Sequence, residues 1–179
     1  MSDVKIEQLK SFGKHIDELS ELLIHIVEDG ASIGFLPPLK LSEATKYWES
    51  ALSSEVILLV AKINNQIAGC VQLQLCTKQN GSHRAEIAKL MTHPNFRRNG
   101  IGRLLMQKTE ERAKQDGRSL LVLDTREGDP SNRLYTSIGY IQAGRIPNYA
   151  ISSSGKLDAT IIYYNLEVKT FNKRICNIP

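Results

Sequence analysis

The feature that most constrains the fold is a strand pattern that leads through a basic, glycine-containing turn into a long helix, over about residues 84–116. The turn, residues 97–102, reads RRNGIG. Its two glycines lack Cβ atoms, so an anion can approach the backbone closely. The first N–H groups of the following helix have no acceptor within the helix, and the helix dipole adds positive charge there. The turn therefore predicts a phosphate or pyrophosphate site.

Other phosphate-binding motifs fit this turn less well. It has no Gly-Lys-Ser/Thr of a P-loop, and it lacks the third glycine of the dinucleotide fingerprint. The preceding strand is predicted to be antiparallel rather than part of a βαβ unit. The alternative interpretation is an ordinary surface turn beside solvated arginines, and the strand–turn–helix context with its arginines favours the anion site.

The remaining pattern predicts one domain over residues 1–168 and a C-terminal tail over 169–179. Apolar periodicity and turn residues indicate helices over about 14–29, 42–51, 100–116 and 130–138, and strands over about 56–63, 67–75, 84–92, 120–123, 140–147 and 160–166. This order predicts an α/β fold with a mixed, mostly antiparallel central sheet flanked by helices on both faces, in three layers. Segments 31–41 and 146–158 are the predicted walls of a pocket.

Four local expectations follow from residue type and alternation. Ser42 is predicted to cap the second helix, and Asp129 with Pro130 is predicted to open the last one. Strand alternation places Ile67, Val71, Leu73 and Leu75 on one face. The same rule places Glu86 on a face with Ala88 and Leu90, as a carboxylate among apolar side chains.

Composition and charge argue against several function classes. The net charge of +4 is spread among interleaved acidic and basic residues, and neither a helix-turn-helix nor an aromatic RNA-reading motif is present, so no nucleic acid is expected. The longest apolar run, residues 56–61, is far short of a membrane span. The charged N-terminus does not read as a signal peptide, which predicts a cytoplasmic protein.

The three cysteines are not predicted to pair. Cys70 and Cys76 fall on one predicted strand, where six residues separate them by roughly 20 Å, too far for a disulfide. Cys176 stands alone near the C-terminus. Unpaired thiols are consistent with a reducing compartment.

The turn RRNGIG resembles the R/Q-x-x-G-x-G/A signature of the GCN5-related N-acetyltransferases, in which it holds the pyrophosphate of acetyl-CoA. The later segment LYTSIGY, residues 134–140, is similar to the L-Y-x-x-x-G-F/Y of that family. This resemblance covers about residues 55–140. A narrower likeness, in HRAEIAKLM, HPNFRRNGIG and LLVLDT, links the chain to tabtoxin-resistance acetyltransferases. It implies direct transfer of an acetyl group from acetyl-CoA to a primary amine, in a ternary complex, with an amino-acid-like or toxin-like small molecule as acceptor.

The resemblance also implies which residues contact acetyl-CoA. They lie at the end of the strand, in the turn and on the last helix: Leu90, Met91, Thr92, Arg97, Arg98, Asn99, Gly100, Ile101, Gly102, Arg103, Asn132 and Tyr135. The chain departs from the family pattern at one place. Many members carry a cofactor-contacting Asn seven positions before the tyrosine, where this chain has Gly128, and Asn132 lies nearby but out of register.

Acetyl transfer to an amine needs a neutral nucleophile and a proton for the departing thiolate. The resemblance assigns the second task to Tyr135. Glu86 and Asp124, at neighbouring strand ends, are predicted to hold the ammonium and relay its proton, and the alternatives are His83, a water chain, or two rim charges without a role. His83, Glu86 and His93 have no recognised metal-ligand spacing, so no metal is expected.

The sequence leaves further alternatives open. The donor could be another acyl-CoA, and the acceptor could be a protein N-terminus. A non-catalytic coenzyme-A-binding regulator would keep the turn but have no turnover. A monomer and a homodimer are both consistent with the sequence, because the last two predicted strands have edges that can pair between subunits.

Overall fold

The computed structural model describes residues 4–166. The helices are α1 (Ile16–Glu28), α2 (Leu41–Ala51), α3 (Ile101–Gln115) and α4 (Pro130–Ser137). The strands are β1 (Lys5–Leu9), β2 (Val56–Ile63), β3 (Gln66–Leu75), β4 (Arg84–Thr92), β5 (Leu120–Arg126), β6 (Ile141–Ile151) and β7 (Leu157–Asn165). Three sequence predictions lie outside the described residues: the domain boundary at residue 168, the tail over 169–179, and the unpaired Cys176.

The strands form one seven-stranded sheet in the order β1-β2-β3-β4-β5-β7-β6. Every neighbouring pair is antiparallel except β4 and β5, which are parallel. Because α3 connects these two strands, β4 does belong to a βαβ unit, and the contrary expectation was wrong since β4 is antiparallel only to β3. One buried cluster lies between the sheet and α3, and a second lies between the opposite face and α1 with α2. The predicted three-layer α/β fold is confirmed. Strand β1 was not predicted, because five partly exposed residues give too short a pattern to detect.

The sheet divides between its two parallel strands. β4 pairs with β5 only over the three positions from Arg84↔Leu120 to Glu86↔Val122. Beyond that point β4 stays paired to β3 as far as Thr92, and β5 stays paired to β7 as far as Arg126. The two halves of the sheet therefore separate and leave a cleft between the carboxyl ends of β4 and β5.

Two bulges correct the predicted alternation. In β3, Ala68 is an extra residue, since Ala61 faces Gly69 whereas Lys62 faces Ile67. Ile67 consequently packs under α1 and α2, while Val71 and Leu73 pack under α3. The expectation of one shared face was therefore correct for Val71, Leu73 and Leu75 but wrong for Ile67, which lies beyond the bulge.

The second bulge lies in β4. Cys70 faces Met91 and Gln72 faces Ala88, so two residues of β4 oppose Val71. Leu90 therefore packs with the cluster under α3. The expectation from alternation, that Leu90 shares the face of Glu86 and Ala88, was wrong.

The helix starts also differ in part from expectation. α2 begins at Leu41 with Lys40 as its N-cap, and the Lys40 N–H donates to the Glu43 carboxylate over 3.2 Å. Ser42 is thus inside the helix and is not its cap. Asp129 does precede Pro130 at the start of α4, but its carboxylate binds Arg126 instead of the helix N–H groups. None of the helices in residues 4–166 is long and apolar enough to cross a membrane.

A glycine in β3 allows α3 to approach the sheet. A Cβ atom on Gly69 would lie 2.5 Å from the Met91 carbonyl oxygen and 3.1 Å from Ile101 Cγ2. We expect Gly69→Ala to lower the free energy of unfolding by about 1–3 kcal/mol, because overpacking forces the strand and helix apart. Urea denaturation measures the change. The matched control is Gly144→Ala in β6, where the added Cβ meets nothing within 4 Å; equal losses in both variants would contradict the packing argument.

Candidate active site

The predicted anion turn has an open backbone. Arg98 has φ +62° and Gly100, the N-cap of α3, has φ +75°. The helix ladder starts with the bond from the Leu104 N–H to the Gly100 carbonyl, 3.0 Å. The N–H groups of residues 101–103 precede that bond and point out of the helix end. The turn thus presents a set of donors at the positive end of a 15-residue helix.

The arginines of the turn have different positions. Arg97 Nη2 lies 2.5 Å from Asp29 Oδ2 at the end of α1, and Arg103 Nη2 donates to Ser137 Oγ over 2.8 Å. These two side chains connect the turn to α1 and to α4. Arg98 is exposed and forms no ion pair within the described part of the chain. Of the three predicted charges, Arg98 is the one available to a phosphate without breaking a contact.

The two glycines of the turn serve different purposes. A Cβ atom on Gly102 would lie 3.3 Å from Leu134 Cδ2, so this glycine allows α3 to pack beside α4. A Cβ atom on Gly100 would meet nothing within 4 Å, so space does not require a glycine there. Glycine is favoured at this position because the backbone adopts a left-handed φ. A side chain on Gly100 would enter the space where an anion is expected.

The end of β4 lines the cleft. Met91 is buried under α1 and α2, and Thr92 Oγ1 lies close to Gly102. From residue 87 to residue 92 the side of β4 that faces β5 has no strand partner in the described chain. Backbone groups of the predicted cofactor residues Leu90, Met91 and Thr92 can therefore pair with an extended ligand in the cleft.

The structure brings the two predicted carboxylates to the point where the strands separate. Glu86 is the last residue of β4 that pairs with β5, and its partner is Val122. Asp124 is two residues beyond Val122 on β5, so its side chain lies on the same face of the sheet as that of Glu86. Thr160 Oγ1 donates to Asp124 Oδ2 over 2.8 Å and fixes that carboxylate. Burial and then the nearby charge of Asp124 raise the pKa of Glu86, and Lys89 acts in the opposite direction. A carboxyl with a raised pKa is suited to accept a proton near neutral pH.

Tyr135 lies in α4 and packs in the core under α3, beside Tyr140 and Tyr163 at ring-centroid distances of 6.0 and 5.8 Å. It is 5% exposed. Burial, followed by the charges of Asp124 and Asp129, raises the pKa of Tyr135 well above its ordinary value. The phenol keeps its proton at neutral pH and can donate it.

The side-chain amide of Asn132 forms hydrogen bonds to other residues of the protein. Its amide nitrogen donates to the carbonyl oxygens of Arg126 and Asp129 over 2.8 and 2.9 Å, and its Oδ1 accepts from the Tyr163 hydroxyl over 3.0 Å. Both amide hydrogens are used within the protein. Gly128, where the family often has Asn, has φ +86° in the turn that precedes α4. Asn132 therefore holds the start of α4 against β5 and β7.

A cavity of about 250 Å³ lies between residues 30–37 and 150–153, and neither Glu86 nor Asp124 is among its lining residues. The two predicted pocket walls do come together. We call residues 31–38 the acceptor loop. Arg126, at the end of β5, lines the cavity and is ion-paired with Asp129 at 2.8 Å and Asp158 at 3.7 Å. The cavity is otherwise apolar or weakly polar.

Lys89 is a residue of this region that the sequence reasoning missed. It lies in the bulge of β4 with φ +54°, and its Nζ donates to the Ile33 carbonyl oxygen of the acceptor loop over 2.5 Å. The available signal was a lysine inside the otherwise apolar run that follows Glu86.

The histidines do not converge with Glu86. His83 is exposed, and His93 pairs with His25 through an Nε2–Nδ1 contact of 3.1 Å. His93 Nδ1 accepts the Asn95 N–H, so both of its nitrogens have partners. Among residues 4–166 there is no cluster of three or more metal-ligating side chains. Cys70 and Cys76 are unpaired thiols.

Comparison with known proteins gives consistent results. The model of the acetyltransferase (GNAT) family matches residues 16–140. An uncharacterized N-acetyltransferase in the hisH-hisA intergenic region of Azospirillum brasilense is 29% identical over 131 residues, which cover 71% of this chain and 78% of that protein.

Solved structures share the fold. A ribosomal-protein-alanine N-acetyltransferase from Brucella melitensis superposes with a TM-score of 0.78 at 19% identity, over 90% of this chain and 99% of that one. The putative acetyltransferase yncA from Salmonella typhimurium, solved with its cofactor acetyl-CoA, gives a TM-score of 0.76 at 17% identity, over 91% and 93% of the two chains.

Proposed function

Because the chain belongs to the acetyltransferase (GNAT) family, we propose that this acetyl-CoA-dependent N-acetyltransferase acts on the primary amine of a small molecule. The observation that carries the proposal is the cavity of about 250 Å³ walled by the acceptor loop and the β6–β7 hairpin. This cavity is also lined by Arg126, two residues beyond Asp124 on β5. A cavity of this size fits a small amine better than a polypeptide chain.

The donor substrate would lie in the cleft. The N–H groups at the start of α3 and the guanidinium of Arg98 would bind the pyrophosphate of acetyl-CoA. The unpaired side of β4 at residues 90–92 would hold the extended arm that carries the thioester. Asn132 plays no part in our account, because its amide hydrogens are already bonded.

The chain's own groups would then move the protons. Glu86 and Asp124 hold the acceptor ammonium, and Glu86 takes its proton directly or through water. The neutral amine attacks the thioester carbonyl carbon, the new C–N bond replaces the C–S bond, and Tyr135 protonates the departing thiolate. His83 is a weaker candidate for the base, because it is exposed and its ring has no partner within the described residues that would orient it.

Broader properties complete the proposal. We place one acetyltransferase domain over residues 1–168 of a cytoplasmic protein, without a metal or nucleic-acid partner, as a monomer or a homodimer. The unpaired thiols of Cys70 and Cys76 fit a reducing compartment. The long edge strand β6 provides a surface on which a second copy could pair.

Acetylation of a protein N-terminus is the second candidate. Four apolar side chains of the β6–β7 hairpin are exposed and could seat a peptide: Ile146, Tyr149, Leu157 and Ile151, of which Ile151 lines the cavity. The fold similarity to the Brucella melitensis enzyme agrees with this alternative but does not select it.

An assay of coenzyme A thiol release separates the two candidates. We would compare ethanolamine, putrescine, glycinamide and L-methionine with an octapeptide that has a free N-terminal alanine. We expect at least one small amine to exceed the peptide in kcat/KM by about tenfold, since a cavity of this size fits a small amine better than a peptide. A peptide acetylated faster than every small amine would contradict the small-molecule assignment.

A further inference from the structure

The Lys89 side chain connects the cleft to the acceptor loop. Two residues of β4, Lys89 and Leu90, oppose Val71 in the bulge, and Lys89 adopts φ +54° there. Positive φ is uncommon for a residue with a side chain. The bulge redirects this lysine away from regular alternation.

The ammonium of Lys89 has three partners in two other elements. Nζ donates to the Ile33 carbonyl oxygen over 2.5 Å, and it lies 5.6 Å and 5.7 Å from the ring centroids of Phe35 and Tyr47. Both ring distances are within cation–π range. The Tyr47 hydroxyl accepts from Gln72 Nε2 over 3.0 Å, so one ring is itself fixed to β3.

The acceptor loop is shaped around this ammonium. A Cβ atom on Gly34 would lie 3.3 Å from Lys89 Nζ, and Gly34 has φ +89°. Gly34 and Phe35 also line the cavity. The position of the ammonium therefore sets the position of one cavity wall.

The same ammonium acts on the carboxylates. Burial lowers the pKa of Lys89, while Asp124 and Glu86 favour its charged form. Burial and the Asp124 charge raise the pKa of Glu86, and the positive charge of Lys89 lowers it. Burial raises the pKa of Tyr47 to about 12, so this neighbour stays neutral across the working range.

We propose that Lys89 is a positioning residue for acetyl transfer: its ammonium fixes the acceptor loop on β4 and so sets the wall of the cavity in which the acceptor amine would lie. The role in acetyl transfer rests on the proposed function, whereas the effect on the loop does not depend on it. Lys89 itself takes no part in bond making.

Hydrogen exchange tests the loop without any acceptor. In Lys89→Met, which keeps an unbranched stem but removes the charge, we expect amides of residues 31–38 to exchange about tenfold faster, because a charged hydrogen bond is lost. Lys89→Arg should restore protection, and Gly34→Ala should also weaken it. Exchange in residues 56–63 should not change, and Lys156→Met, an exposed lysine of the β6–β7 hairpin, should behave as the wild type. Unchanged loop exchange in Lys89→Met would overturn the proposal.

The KM of the acceptor amine tests the effect on the cavity wall, with acetyl-CoA and the fastest amine of the panel above. Loss of the Lys89 contacts loosens this wall, so the KM of the amine should rise about tenfold in Lys89→Met and return in Lys89→Arg, while the KM of acetyl-CoA stays unchanged. A purely structural role would lower kcat and leave the KM of the amine in place, which would overturn the role in acetyl transfer. If the wild type acetylates no amine, the proposed function fails, and the exchange result still decides the role of Lys89 in the loop.

Discussion

Glu86→Gln and Asp124→Asn should each lower kcat by about 10²–10⁴-fold, the usual contribution of a positioned general base. Both substitutions keep the shape of the side chain but remove its negative charge. The Glu86 variant loses the group that takes the proton, and the Asp124 variant loses a charge that holds the acceptor ammonium. The affinity for acetyl-CoA should stay within about twofold, because the anion turn lies at the start of α3, away from both carboxylates. Steady-state kinetics with calorimetric binding separates the two quantities.

Glu127→Gln is the matched control. This carboxylate lies three residues beyond Asp124 but is ion-paired with Arg145 outside the cavity, with Arg145 Nε 2.7 Å from Glu127 Oε1. We expect nearly wild-type turnover in this variant. Wild-type turnover in both Glu86→Gln and Asp124→Asn would instead remove the two carboxylates from the mechanism and favour His83 or a water chain.

The pH dependence follows from the direction of the Glu86 shift. Burial and the Asp124 charge raise the pKa of Glu86, and only the ionised form can accept a proton. Activity should therefore be present at high pH and be lost as the pH falls through this raised pKa. The acidic limb of kcat/KM should lie above the range of an ordinary glutamate, and it should disappear in Glu86→Gln.

Tyr135→Phe should lower kcat by about 10²–10³-fold, because the thiolate would leave without its proton donor. The loss should appear in kcat, with little change in the acetyl-CoA dissociation constant. A thioester donor with a more acidic thiol leaving group should lose less rate, since it needs protonation less.

Tyr140→Phe provides the control within the same aromatic cluster, with a ring centroid 6.0 Å from that of Tyr135. Its hydroxyl has no role in the mechanism, so turnover should stay near that of the wild type. If both variants lost the same activity and the same thermal stability, Tyr135 would be a packing residue only.

Much of the site could be predicted from sequence because its signals are local. The glycine pair of residues 100 and 102 marks a helix start and requires no knowledge of distant residues. Glu86 is a carboxylate within one recognisable strand pattern and Asp124 follows another, and the pairing of β4 with β5 places them on neighbouring strands.

The features that could not be predicted depend on contacts between distant segments. The bulges at Ala68 and at Lys89 are set by hydrogen-bond register between strands, which alternation in one strand does not reveal. Asn132 resembled a cofactor ligand in the sequence, but its partner Tyr163 is 31 residues away. The ammonium of Lys89 meets a loop 56 residues earlier in the chain.

Calorimetry of acetyl-CoA binding tests the central claim most directly. Coenzyme A, NAD and ATP serve as comparison ligands, and Gly100→Glu places a carboxylate in the open space of the turn, where the φ of +75° also opposes a side chain. Gly144→Glu, on β6 with open space around it, controls for added charge. We expect micromolar binding that is selective for acetyl-CoA and coenzyme A, is lost in Gly100→Glu and is kept in Gly144→Glu. A folded wild-type protein that binds none of these ligands, or a Gly100→Glu variant that binds as tightly as the wild type, would contradict the account.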